Sequence, residues 1–170
     1  MSSPTNVPSN WQGVILQSTT SNNLGKCHNW RMSREKAILV DVDGTVAIHK
    51  GRGPFDWSKL AQDSPNNAVI DVVNRVGSTN VKIIFITGRE NKYRIETEKW
   101  LRKYISLPFI LFCRTDNDFR KDEEIKKEIY EGMIKDEFEV ICVFDDRNRV
   151  VSMWREKLGI ACFQVAEGDF

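Results

Sequence analysis

From residue 35 onward, short unbroken apolar runs alternate with longer stretches in which apolar positions recur at helical spacing. Residues 37 to 40 are wholly apolar and end at Asp41. Residues 81 to 86 (VKIIFI), 109 to 113 (FILFC), 140 to 144 (VICVF) and 161 to 165 (ACFQV) repeat that character, and each predicts a buried strand. Between them, residues 68 to 76 are apolar at helical spacing. Asn91 is placed to cap a helix running to 104, with apolar or aromatic residues at 93, 95, 100, 101 and 104. Residues 122 to 135 and 148 to 158 predict two more helices, the last closed by Gly159. Strands separated by helices of this length imply a parallel sheet with right-handed crossovers. The expected fold class is therefore α/β, a Rossmann-like three-layer sandwich, with ligands bound beyond the carboxyl ends of the strands.

Residues 1 to 34 do not share this pattern. They are rich in Ser, Thr and Asn and contain neither Asp nor Glu. They read as a tail, partly disordered or packed onto the domain through Trp11, Val14, Ile15, Leu16 and Trp30. Arginine is too sparse there for a transit peptide. The domain proper is expected to span 35 to 170. A chain of 170 residues with 41% hydrophobic and 29% charged residues suits one globular domain. Its net charge of +1 excludes a polybasic nucleic-acid coat, so any nucleic-acid contact must come from local patches. No apolar stretch nears the roughly 20 residues that span a bilayer, and no secretory signal pattern is present. Four widely spaced cysteines without a C-x-x-C pair suit a reducing setting. These features lead to an expectation of a cytoplasmic protein that does not engage membranes.

Three of the strands run into polar groups. The first meets Asp41-Val42-Asp43-Gly44-Thr45, the second Thr87-Gly88-Arg89, and the fourth Asp145-Asp146. A polar turn after a strand explains any one of these. Three together place several carboxylates at one sheet edge, where their repulsion needs a cation. Oxygen ligands without His or Cys favour magnesium.

The order D-x-D-G-T, T-G-R, a downstream Lys and D-D resembles the haloacid dehalogenase superfamily of aspartate-nucleophile phosphatases. The segments KGRGPFDW and RKDEEIKKEI and the tail from MWR to QVAEGDF are more specific. They resemble the phosphatase domain of bacteriophage polynucleotide kinase-phosphatase, which removes 3′-phosphates from nucleic acid ends. The resemblance covers residues 36 to 170 and implies a role for each matching residue. Asp41 is the implied nucleophile, forming an aspartyl-phosphate. Asp43 is the implied acid and then base, and also gives the metal its backbone carbonyl. Thr87 and Lys126 hold the transferring phosphate. Asp145 and Asp146, with Asp41 and Asp43, form the Mg2+ site. Arg52, Gly88 and Arg89 contact substrate or phosphate, and Asp122 orients its neighbours. An acid operating near pH 6–7 needs a pKa above the ordinary ~3.9, and the nearby carboxylates are expected to raise that of Asp43.

Spacing supports part of this. Lys126 stands four residues after Asp122, so both share one helix face, although that spacing alone is also that of an ordinary surface ion pair. Phe55 and Trp57 follow Arg52 and could stack on a base or anchor a loop into the core. His28 and His49 fit no metal or triad pattern. Leu24-Gly25-Lys26-Cys27 fails as a phosphate loop, since Cys27 replaces Ser or Thr and Thr20 replaces the first Gly. The chain is thus not expected to phosphorylate 5′ ends itself, and a separate kinase or ligase is the expected partner. The stretches from 46 to 67 and from 90 to 121 are too short for a large cap domain, which leaves a minimal cap and a site open to a polymer end. The expected substrate is the 3′-phosphate end of DNA or RNA. A small-molecule nucleotidase of the same fold and a non-catalytic end-binding module are the competing expectations.

Overall fold

A computed structural model describes residues 34–49, 51 and 57–169 of the chain. The elements are β1 (Glu35–Val40), β2 (Ala47–Ile48), β3 (Ser64–Pro65), α1 (Asn67–Gly77), β4 (Lys82–Glu90), α2 (Arg94–Leu101), β5 (Phe109–Arg114), α3 (Asp122–Ile129), β6 (Phe138–Arg147), α4 (Asn148–Ser152) and β7 (Cys162–Gly168). Five strands form a parallel sheet in the order β5-β4-β1-β6-β7. The chain builds outward from the central β1 through β4 to β5, then crosses back to place β6 and β7 on the other side. The strand order therefore reverses between β1 and β6. Loops leaving the two strands diverge there, which opens a crevice beyond their carboxyl ends.

The unbroken apolar runs follow from burial on both faces of the sheet. Ile38 and Val40 of β1, Ile83 and Phe85 of β4, and Cys142 and Phe144 of β6 share one core with Val69, Ile70 and Val73 of α1 and Trp100 and Leu101 of α2. The alternate positions Ala37, Leu39, Ile84, Ile86 and Val143 are equally buried. Right-handed crossovers put α1 and α2 on one face and α3 and α4 on the other. Ile125 and Ile129 of α3 and Val150 and Val151 of α4 bury their side chains on that second face. The expected α/β sandwich is thus observed. No helix among the described residues is long and apolar enough to cross a membrane.

Several boundaries differ from the expectation, each for a local reason. Thr87-Gly88-Arg89 and Asp145-Asp146 are not turns after strands but lie within the last residues of β4 and β6, beside irregularities in strand pairing. Asn91 does not cap the second helix. Residues 91–93 form a 3-10 turn instead, and α2 begins at Arg94. The helix expected over 122–135 is α-helical to Ile129. It then widens to a π turn, closed by the Lys135 N–H donating to the Tyr130 carbonyl at 3.0 Å. Residues 148–158 divide likewise into α4 and a π turn over Met153–Lys157, and Gly159 ends it at φ +66.

Between β1 and α1 the described residues hold a two-stranded ribbon of β2 and β3 and a 3-10 turn over Trp57–Gln62. The ribbon is tied down by Asn66, whose backbone N–H donates to the Val46 carbonyl (2.8 Å) and whose side chain donates to the Thr45 carbonyl (3.0 Å).

Leu39 is wholly buried in the central strand. Leu39→Ala is expected to cost about 2–5 kcal/mol, read as a lower urea midpoint at unchanged m value.

Candidate active site

The Asp41 N–H donates to the Phe144 carbonyl at 2.9 Å, so the β1–β6 ladder continues one residue beyond β1. That bond sets the Asp41 carboxylate beside Asp145. Lys126 enters from α3, with 1% of its surface exposed. Its ammonium donates to Asp41 Oδ1 (2.7 Å) and Asp145 Oδ2 (2.8 Å) and lies 3.4 Å from Asp122 Oδ2. Asp122 is held in turn by Arg114 (3.3 Å) and lies 3.7 Å from Arg147. Lys127 points away, half-exposed, to within 3.7 Å of Glu131. The sheet and α3 thus bring together Asp41, Asp122, Lys126, Asp145 and Asp146, all of them buried.

The glycines of the motifs explain how so many groups fit. A Cβ on Gly44, which sits at φ +88, would lie 2.0 Å from Asp146 Oδ2. A Cβ on Gly88 would lie 2.5 Å from Asp122 Oδ1. Each glycine clears space for a carboxylate from a different motif. The C-terminal strand joins in, because Gln164 Nε2 donates to the Asp146 carbonyl at 3.1 Å.

Asp41, Asp145 and Asp146 each offer a carboxylate oxygen, all within 4.8 Å of one another. Burial is the main force raising the Asp41 pKa well above the ordinary value, and the charges of Asp145, Asp146 and Asp122 add to it against Lys126. Asp145 is raised by burial and Asp122 against the pull of Lys126. Asp146 is pushed up to about 6 by burial and by Asp145. Burial favours neutral Lys126, yet the carboxylates of Asp122, Asp145 and Asp41 outweigh it and hold the ammonium charged. Of the four carboxylates around Lys126, Asp122 is also met by Arg114 and Arg147; when all are ionised, the other three leave a net negative charge beside one ammonium. An all-oxygen donor set with that deficit fits one small, hard divalent cation such as Mg2+.

Asp43 faces a different neighbourhood. Arg89 clamps it with Nε on Oδ2 (2.8 Å) and Nη2 on Oδ1 (2.7 Å), and His49 Nε2 lies 2.8 Å from Oδ1. The expectation of a raised pKa is overturned. Burial does push it up, but the Arg89 charge and the bonds from His49 and Arg89 carry it far below the ordinary range. Arg89, expected to meet substrate, is itself fully buried. Besides Asp43 it donates to Asp63 Oδ2 (3.2 Å) and Thr97 Oγ1 (3.2 Å). Asp43, His49 and Asp63 also lie close enough together to suggest a cation site, but the Arg89 guanidinium already supplies a charge to Asp43 and Asp63. Thr87 is buried, and its hydroxyl accepts the Arg89 N–H at 3.2 Å. Arg52, Phe55 and the tail over 1–33 lie outside the described residues.

Comparison with known proteins decides the family. The model for the phosphatase domain of polynucleotide kinase PNKP matches residues 35–170. The chain belongs to that family. It is a phosphatase domain of haloacid dehalogenase type. A protein of Autographa californica nuclear polyhedrosis virus, described as a bifunctional polynucleotide kinase/RNA ligase, is 36% identical over 124 residues. That match takes in 71% of this chain but only 18% of the viral protein. A solved chain of the Pnkp1/Rnl/Hen1 RNA repair complex is 39% identical with a TM-score of 0.78, over 90% of this chain and 48% of its own length. The class C acid phosphatase of Bacillus anthracis, at 16% identity and a TM-score of 0.58, shares the fold. The chain thus spans about half or less of the length of the viral protein and of the repair-complex chain.

Sequence reasoning set His49 aside and passed over Asp63, Thr97, Arg114 and Arg147. His49 lies six residues from Asp43 and had only that proximity as a signal. Asp63 and Thr97 meet Arg89 from separate loops and helices, which no local spacing announces.

Asp122 yields a pH prediction. Burial would raise its pKa from 3.8, but Lys126, Arg147 and Arg114 lower it. The stability it contributes is therefore complete above that ordinary value and is lost as pH falls through the folded value. Asp122→Asn is expected to lose about 1–3 kcal/mol at pH 7, with a shallower decline below pH 4 than the parent protein, in chemical denaturation across pH 2–7.

Proposed function

We propose that the phosphatase domain is a magnesium-dependent polynucleotide 3′-phosphatase acting through an aspartyl-phosphate on Asp41. The observation that carries the reading is the Lys126 ammonium bound to both Asp41 (2.7 Å) and Asp145 (2.8 Å) at the strand-order reversal. It fixes one Asp41 oxygen and leaves the other to attack phosphorus. A bound Mg2+, held by Asp41, Asp145, Asp146 and the Asp43 carbonyl, would offset the charge of the entering phosphoryl group. Lys126 and Thr87 would hold the phosphoryl oxygens.

In the first step the Asp41 oxygen bonds to phosphorus, the bond to the 3′-oxygen breaks, and Asp43 gives that oxygen its proton. In the second, Asp43 takes a proton from water. The water oxygen attacks the aspartyl-phosphate, releasing inorganic phosphate and restoring Asp41. The resting clamp on Asp43 suits the second step, since it keeps the carboxylate ionised. A phosphoryl anion arriving beside Asp43 raises its pKa, and Asp43 then takes up from solvent the proton that it gives in the first step. The role of Arg52 as a substrate contact rests on family resemblance alone.

The polynucleotide substrate is supported by family membership, and by relatives whose names join a kinase with a ligase or with RNA repair. A kinase or ligase acting on the same DNA or RNA ends is the proposed partner. The small insert between β1 and α1 suits a polymer end better than a capped small molecule. Phosphate release from an oligonucleotide 3′-phosphate, compared with a 5′-phosphate and free mononucleotides, tests this. Equal or better turnover of mononucleotides would replace it with a nucleotidase.

Two further outcomes are expected. Asp41→Asn abolishes turnover, Lys126→Ala lowers kcat about 100- to 1,000-fold, and Lys127→Ala changes it less than about twofold in steady-state assays. Added Mg2+ raises the melting temperature of the parent protein and fails to do so in Asp145→Asn or Asp146→Asn, as thermal scans will reveal.

A further inference from the structure

Phe119 is 90% exposed, the most exposed large apolar side chain among the described residues. A solitary apolar side chain on a surface is ordinary. This one is set apart by how it is held and where. It stands in the loop over 115–121, which leaves the carboxyl end of β5 on the same sheet edge as the active site.

The backbone of that loop is pinned around it. Arg114 Nη1 donates to the carbonyls on either side of Phe119, at Asp118 (2.9 Å) and Arg120 (2.8 Å). The Asn117 N–H donates to Glu90 (2.9 Å), and Asp116 accepts the Lys92 N–H (2.7 Å), so the loops after β4 and β5 brace each other. Arg120 is drawn aside onto Asp118 and Glu128, each at 2.6 Å. The other guanidinium nitrogen of Arg114 reaches Asp122 at 3.3 Å, and Asp122 lies 3.4 Å from the Lys126 ammonium. One arginine therefore positions both the presented ring and the carboxylate that orients the phosphate-binding lysine. A loop fixed this firmly, yet leaving its one aromatic ring in water, matches a surface shaped for a flat apolar partner.

We propose that Phe119 is a stacking platform for a nucleobase of the strand whose 3′-phosphate lies at Asp41. The proposal rests on the 3′-phosphatase reading and names where that substrate is gripped beyond its phosphate. β5 lies two strand spacings from β1, about 10 Å. The loop after β5 therefore lies to one side of Asp41 along the same sheet edge, where the strand leading away from the phosphate can run. Stacking on a ring is tolerant of sequence, which suits an enzyme that must accept any end.

The test compares kcat/KM for a single-stranded hexanucleotide 3′-phosphate with that for acetyl phosphate, which carries no ring, in the parent protein, Phe119→Ala and Phe119→Trp. Phe119→Ala is expected to lower the oligonucleotide-to-acetyl-phosphate ratio about 5- to 100-fold, and Phe119→Trp to retain it. Abasic substitution at one of the four terminal positions is expected to erase the difference between the parent protein and Phe119→Ala. An unchanged ratio in Phe119→Ala, with the parent protein still favouring the oligonucleotide, overturns the stacking role alone. It would leave Phe119 as a contact for another protein or none. A parent protein that shows no preference for the oligonucleotide overturns the 3′-phosphatase reading, and the stacking role with it.

Discussion

The ammonium of Lys126 is the interaction on which the site depends. Four carboxylates converge near it from two strand ends and one helix, and burial leaves little solvent to screen them. Without a cation at that point, the ends of β1 and β6 would repel each other where the ladder runs through Asp41 to Phe144. One lysine compensates only part of the charge. The remaining deficit fits a divalent ion.

A second cation, Arg89, performs a parallel task for Asp43. The two aspartates of the first motif are two residues apart and yet live in opposite electrostatic settings. Asp41 sits among carboxylates and is pushed toward protonation, whereas Asp43 sits against a guanidinium and an imidazole and is held ionised. Under the proposed mechanism, differences of this kind divide labour between a nucleophile and a proton carrier of identical side-chain chemistry.

The layered fold was readable in the chain because parallel strands covered on both faces give unbroken apolar runs, and these runs are where β1, β4, β5 and β6 lie. The association of Asp41, Lys126 and Asp145 was readable through the order of motifs and a family resemblance. The setting of Asp43 was not. Sequence placed it among carboxylates because those lie nearest in the motifs, but its neighbours are set by Arg89, turned back from the end of β4, and by His49 across the Gly44 turn. The rigid loop around Phe119 was hidden for the same reason, since Arg114 braces it through backbone carbonyls that carry no side-chain signature. What pattern reveals is which faces are buried. What it conceals is which long cationic side chain reaches which acid.

The close approach of Gly44 to Asp146, and of Gly88 to Asp122, carries a consequence for how such a site can change over time. Each motif contains the void that another motif fills. A methyl group added in one place strikes a functional oxygen contributed from elsewhere in the chain, so the segments cannot drift or be exchanged singly. Transplanting Asp41 into a different sheet would mean moving the glycines, the facing acids and the lysine as one block. The interlock makes the site a single heritable unit spread across more than a hundred residues of sequence, from Asp41 to Asp146.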